Sequence, residues 1–207
     1  TVNYNDITAV HNLLSLTGNF QIQPFEEKNY ICLFNGEIYN YKNFGNFSSD
    51  GNCILPLFVK ESSNFLKKID GEFAIVIYDL KNSILYIATD FFGTKPLFYS
   101  HNNEYFGVST YKSCLERLNF TNIEKVNNNK FITINFNDHS KVTENIYSLD
   151  VSRQFKKDFK DWNKAFENAV KKRIKSNFKK FIALSSGHDS GALACVLNKL
   201  NISYGSY

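Results

Sequence analysis

The chain has 207 residues, of which 43% are hydrophobic, 16% aromatic and 21% charged, enough for one large domain or one domain plus part of another. This composition excludes wholesale disorder, and no apolar run approaches the ~20 residues that span a bilayer. The net charge of +4 is local, because residues 151–182 hold eleven Lys or Arg against three Asp or Glu and leave the remainder net acidic. Strands are predicted over residues 7–16, 30–34, 73–80, 84–89, 104–109 and 131–136, which are rich in β-branched and aromatic residues and mostly bounded by Asn, Asp or Gly. A helix is expected from Asp50 as N-cap, with Cys53, Ile54, Leu57 and Phe58 on one face and Pro56 removing one hydrogen bond. Shorter helices follow over 63–69 and 110–118, and Asn127-Asn128-Asn129 marks a turn.

The polar, basic stretch 148–160 lacks a strand pattern and places a domain boundary near residue 155, dividing the chain into 1–155 and 156–207. Beyond it, Trp162, Phe166, Val170, Ile174 and Phe178 recur every fourth residue, an apolar stripe on a basic helix over 161–178. A buried strand over 181–184, a Gly/Ser turn, a helix over 191–200 and a strand beginning at Ile202 read as the opening of a parallel α/β sheet. Cys32, Cys53, Cys114 and Cys195 follow no zinc spacing and have apolar neighbours, so they are expected to be reduced and buried in a cytoplasmic protein. Methionine is absent, and Thr1 is expected to be a processed or cut end.

The segment Leu184-Ser185-Ser186-Gly187-His188-Asp189-Ser190 sets small residues between a strand and a helix. Its amides and hydroxyls suit a phosphate or pyrophosphate at the positive helix end, with Asp189 holding a magnesium ion. Taken alone, it reads equally well as a strand-to-helix turn with a Ser or Asp cap. The loop resembles the pyrophosphate loop S-G-G-x-D-S of ATP pyrophosphatases that adenylate a substrate, with Ser186 replacing the first glycine. That serine restricts the backbone and adds a hydroxyl. His188 occupies the variable position and reads as a surface histidine rather than a catalytic base.

Phe34-Asn35-Gly36-Glu37-Ile38-Tyr39-Asn40-Tyr41 resembles the N-G-E-I-Y-N signature of the class II glutamine amidotransferase domain of asparagine synthetases. Further similarities follow in family order: Ser49-Asp50, Asp70-Gly71-Glu72-Phe73-Ala74, and Asp90 to Tyr99, which is similar to R-D-x-x-G-x-K-P-L-Y-Y. His11-Asn12-Leu13-Leu14-Ser15-Leu16 resembles the family strand H-x-R-L-S-I. The resemblance implies an α+β fold: an N-terminal-nucleophile αββα sandwich, followed by the opening strand-loop-helix of a parallel ATP-pyrophosphatase domain. It also implies that Asn35 and Gly36 form an oxyanion hole and that Glu37 and Asp50 receive the α-ammonium of glutamine. The implied function is ATP- and Mg2+-dependent amidation of aspartate, through a β-aspartyl-AMP intermediate, with ammonia from glutamine. A homodimer is compatible with this reading.

Two departures qualify it. The family attacks glutamine with an N-terminal cysteine whose own amine is the base, and this chain has no match for that residue. Thr1 falls tens of residues after the family's N-terminus and is not expected to act as nucleophile. Leu13 stands where the family arginine clamps the glutamine carboxylate, which weakens glutamine binding. The sequence is therefore expected to be a fragment, inactive by itself, of an asparagine synthetase-like enzyme whose ATP-pyrophosphatase part stops early. The alternatives are an adenylating amide ligase with an inactive amidotransferase domain, as in β-lactam synthetases, or a non-catalytic binding module. Nucleic acid binding through the basic helix is disfavoured, since its lysines suit the solvated face of a helix that packs inward.

Overall fold

The structure is a computed structural model that describes residues 1–207 except Asn5, Asn103, Gln154 and 176–178; the expected place of Phe178 in the apolar stripe lies outside the described residues. In chain order the first elements are β1 (Val2–Tyr4), β2 (Ile7–Ala9), β3 (Phe25–Glu27), β4 (Tyr30–Ile38), α1 (Ile54–Glu61), β5 (Gly71–Asp79) and β6 (Ile84–Thr89). They continue as β7 (Phe98–His101), β8 (Phe106–Ser109), α2 (Lys112–Arg117), β9 (Glu124–Lys125), β10 (Lys130–Asn135) and β11 (Ser140–Asn145). The last are α3 (Lys160–Arg173), β12 (Phe181–Ile182), α4 (His188–Lys199) and β13 (Gly205–Ser206). The chain divides into two compact units, Thr1–Leu149 and Asp150–Tyr207. No helix among the described residues is long and apolar enough to cross a membrane.

Strand alternation builds the first unit. An antiparallel sheet runs β11-β10-β6-β5-β4-β3, and its central pair β4 and β5 is in register from Tyr30↔Asp79 to Ile38↔Gly71. Cys32, Phe34, Phe73, Ile75 and Ile77 share one face and pack on Ile54, Leu57 and Phe58 of α1 and on Phe65 and Leu66 of the 3₁₀ helix Ser62–Lys67. The opposite face presents Ala74, Ile87, Ile132 and Ile134 to Tyr99, Phe106 and Val108 of a smaller sheet, β8-β7-β9. On the outer side of that sheet, α2 inserts the buried Leu115 against Gly107, where a Cβ would lie 2.8 Å from the leucine. The layers are therefore helix, sheet, sheet, helix, the αββα order expected.

Several local expectations change. Residues 10–16 are not a strand: β2 ends at Ala9, whose partner Val2 begins β1, so no backbone remains to pair with the rest. The strand expected over 30–34 runs on to Ile38 through Asn35-Gly36-Glu37, because the pairing with β5 overrides weak intrinsic propensity. Asp50 precedes a 3₁₀ turn, Gly51–Cys53, and its side chain makes no cap bond. Pro56 costs α1 little, since it sits in the first turn, where amides have no intrahelical acceptor. Cys32 and Cys53 are buried, whereas Cys114 and Cys195 are exposed, contrary to expectation.

In the second unit, α3 and α4 bury Val170 and Leu197. Glu167 on α3 contacts both Lys171 and Lys199 at 2.6 Å, and these hydrogen-bonded ammonium groups hold its carboxyl down at about 2. β12 pairs in parallel with β13, giving strand, turn, helix, strand. The expected burial is incomplete. Phe181 and Leu184 are exposed, and Trp162 remains 58% exposed while stacking on Phe166. An apolar run signals burial only where other layers cover both faces of its sheet, and β12 pairs only with β13 among the described residues.

Candidate amide-binding site

The site forms where β3 stops short and leaves the end of β4 without a neighbouring strand. Gln23 continues the pairing with its side chain: Phe34 N–H donates to Gln23 Oε1 at 2.7 Å, and Gln23 Nε2 donates to the Phe34 carbonyl at 3.0 Å. Two pairs further along, Ile38 N–H donates to Asp50 Oδ2 at 2.8 Å. In an antiparallel strand alternate residues direct their amides to the same side, so Gly36 N–H, between these two, points to this open edge. Phe73, opposite Gly36, instead exchanges hydrogen bonds with Asp90: its N–H donates to Asp90 Oδ2 and its carbonyl accepts from Asp90 N–H, both at 3.0 Å. Gly36 has φ +152°, and a Cβ there would lie 2.0 Å from the Glu72 carbonyl oxygen, so only glycine fits.

Residues 11–17 supply the facing wall as an irregular segment, tied down by the Gly18↔Ser49 bridge and by Asn19 N–H donating to the Ser48 carbonyl at 2.8 Å. The partly open cavity between them, about 110 Å³, is lined among others by His11, Leu13, Thr17, Asn35, Gly36, Glu37 and Asp50. Asn35, Gly36, Glu37 and Asp50, drawn from two separate motifs, thus share one cavity with the 11–17 segment. Asn35 lines the cavity beside Gly36. Thr1 and the four cysteines do not line it. Burial pushes the Cys32 thiol far up and that of Cys53 to about 12, so neither is a ready nucleophile.

Both cavity carboxyls are perturbed. Burial raises Glu37 above the usual carboxylate range; a hydrogen bond from Thr17 opposes this, Glu72 adds to it, and Lys95, 3.6 Å from Glu72, opposes it. Burial pushes Asp50 up to about 6 against the hydrogen bond from Ile38 N–H. Burial also lowers His11, which favours the neutral imidazole. Asp50 therefore serves as an acceptor at the cavity wall rather than as the helix cap that its sequence position suggests.

The rest of the motif is structural. Asn40 accepts from Asp70 N–H at 2.8 Å and donates to the Lys68 carbonyl at 2.9 Å, closing the loop before β5, and Tyr39 Oη donates to Glu72 at 2.5 Å. Asp90 gathers the amides of Phe73, Phe92 and Thr94. The roles of Gln23 and Thr17 are legible only in the structure. An isolated glutamine or threonine carries no local signal of a strand edge formed by residues at other positions.

In the second unit, Ser185 and Ser190 close the loop before α4. Ser185 N–H donates to Ser190 Oγ at 3.1 Å, the two hydroxyls lie 3.0 Å apart, and Gly187 N–H donates to Ser185 Oγ at 3.1 Å. Gly187 is the extended N-cap, and α4 begins at His188, three residues before the expected start at Gly191. Leu184, Ser186, His188 and Asp189 are exposed. No group of three or more His, Cys, Asp or Glu among the described residues could hold a metal ion; Asp189 stands in the first turn of α4.

Residues 2–165 match the family described as the glutamine amidotransferase domain. A Methanocaldococcus jannaschii protein assigned as a glutamine-hydrolysing asparagine synthetase is 30% identical, over 91% of this chain and 40% of its own length. Human glutamine-hydrolysing asparagine synthetase is 26% identical, over 91% of this chain and 40% of that protein. The chain spans about 40% of the length of the curated relatives it matches. Among solved structures, Bacillus subtilis glutamine phosphoribosylpyrophosphate amidotransferase superimposes with a TM-score of 0.52 at 16% identity, covering 89% of this chain and 48% of that one, a likeness of fold. The family match includes every residue of the cavity, and the chain belongs to the glutamine amidotransferase domain family, with glutamine-hydrolysing asparagine synthetases among its relatives.

Proposed function

We propose that this chain carries the glutamine site, and the beginning of the ATP site, of a ligase that adenylates the side-chain carboxylate of aspartate and lets ammonia displace AMP to form the amide. The observation that carries the reading is the cavity at the open end of β4, which gathers Asn35, Gly36, Glu37 and Asp50. A glutamine whose α-ammonium meets Glu37 and Asp50 directs its carboxamide toward the Asn35 amide and Gly36 N–H. Those donors stabilise the oxyanion formed when a nucleophile attacks the carbonyl carbon. The nucleophile implied by the family resemblance is an N-terminal cysteine with its own amine as base.

In the second unit, the Ser185–Ser190 hydroxyl pair and the first-turn amides of α4 would cradle the pyrophosphate of ATP, with Asp189 sharing its magnesium ion. The test is the complete protein supplied with aspartate, Mg-ATP and either glutamine or ammonia. AMP and asparagine are expected, and the appearance of neither overturns the reading. Leu13 on the cavity wall favours a second version, in which the ligase adenylates its carboxylate but draws little ammonia from glutamine. Asparagine would then form with ammonia and not with glutamine.

A further inference from the structure

The charge on the cavity wall constrains what it can bind. Glu37 and Asp50 both line it, and among the described residues no Lys or Arg does. His11 is the one other titratable side chain on the wall, and burial favours its neutral form. The neighbouring cation that acts on Glu37 is Lys95, which lies 3.6 Å from Glu72 and outside the cavity lining. Leu13 and Leu14 complete the approach with apolar side chains.

An α-amino acid carries its ammonium and carboxylate on the same carbon. Seating the ammonium against Glu37 and Asp50 therefore brings the carboxylate beside two like charges, in partly buried surroundings where repulsion is weakly screened. No cation on the wall offsets this. A ligand with the same ammonium and carboxamide but a neutral α-carbonyl keeps the attraction and loses the repulsion.

We propose that the cavity prefers glutaminyl compounds whose α-carboxyl is neutralised, as in glutaminamide or an N-terminal glutaminyl peptide, over free glutamine. The preference rests on reading the cavity as an amide-binding site. The full chain is titrated calorimetrically with L-glutamine and L-glutaminamide at about pH 7, below the usual α-amine pKa of about 7.7.

Glutaminamide is expected to bind more tightly, by roughly tenfold. Leu13→Arg, a change in an irregular surface segment, is expected to strengthen glutamine binding and leave glutaminamide no better bound. Equal or tighter binding of glutamine to the unaltered chain overturns the preference and leaves the amide-site reading standing. An equal gain for both compounds in Leu13→Arg overturns its electrostatic basis. Binding of neither compound to the unaltered chain overturns both the preference and the reading beneath it.

Discussion

On the proposed reading, Asp50 serves binding at the expense of stability. Its carboxyl is raised from an unfolded value near 4 to about 6 by burial. Between those values the folded state holds a proton that the unfolded state has released, so stability contributed by the neutral acid is present below about pH 4 and is lost as pH rises through about 6. Asp50→Asn is therefore expected to stabilise the folded chain at neutral pH by on the order of 2 kcal/mol, with little gain at pH 4. Thermal melts across that range check this, and a pH-independent difference would contradict it. On the proposed reading the same substitution removes a charge that would face the ligand ammonium, so affinity for glutaminamide should fall roughly tenfold near pH 7. In the unaltered chain that affinity should climb from about pH 5 to 7 as Asp50 ionises, together with Glu37, which burial also raises. Calorimetry at both pH values would show it, and an affinity that falls over this range would rule out ammonium recognition by these carboxyls.

At the scale of elements, the end of β4 depends on a side chain acting as a strand. Gln23→Ala would leave the N–H and carbonyl of Phe34 without the partners they have at 2.7 and 3.0 Å, in a buried position. Each orphaned backbone group costs about 1–3 kcal/mol, so a loss of roughly 2–4 kcal/mol in urea denaturation is expected; a change below about 0.5 kcal/mol would mean that water replaces the glutamine. Little of this was legible beforehand. Alternation of β-formers marked the centres of β5, β6 and β10, but β1, β3, β9 and β11 are too short or too polar to stand out from their loops. The reach of β4 through Asn35-Gly36-Glu37 and the failure of residues 10–16 to form a strand have a common cause: the extended state holds where a partner offers a ladder, and not where the pattern alone asks for it.

For the whole molecule, the layers sort the thiols. Cys32 and Cys53 lie between the large sheet and α1, where burial holds both thiols protonated, whereas Cys114 and Cys195 reach solvent on α2 and α4. A thiol reagent is expected to modify Cys114 and Cys195 in the native state, and Cys32 and Cys53 only after denaturation. Mass mapping of the modified peptides checks this, and rapid native labelling of Cys32 would contradict the packing of the first unit. Similar apolar neighbours in the sequence gave all four cysteines the same expectation, because a local window does not record which helix face turns inward.

The sequence by itself determined the chemistry on offer: the Asn35-Gly36-Glu37 run, Asp50, the Ser185–Ser190 loop, and the division into a strand-rich part and a part that opens a parallel sheet. These lie in contiguous stretches, where residue type and spacing act directly on the backbone. The tertiary structure decided the use of that chemistry. It turned Asp50 from a helix cap into an acceptor for Ile38, closed residues 11–17 over the end of β4, and left two carboxylates on a wall to which the described residues bring no Lys or Arg. Such outcomes depend on residues brought together by the pairing of strands and the packing of layers, and on the burial that pairing imposes. No window of neighbouring residues contains that information.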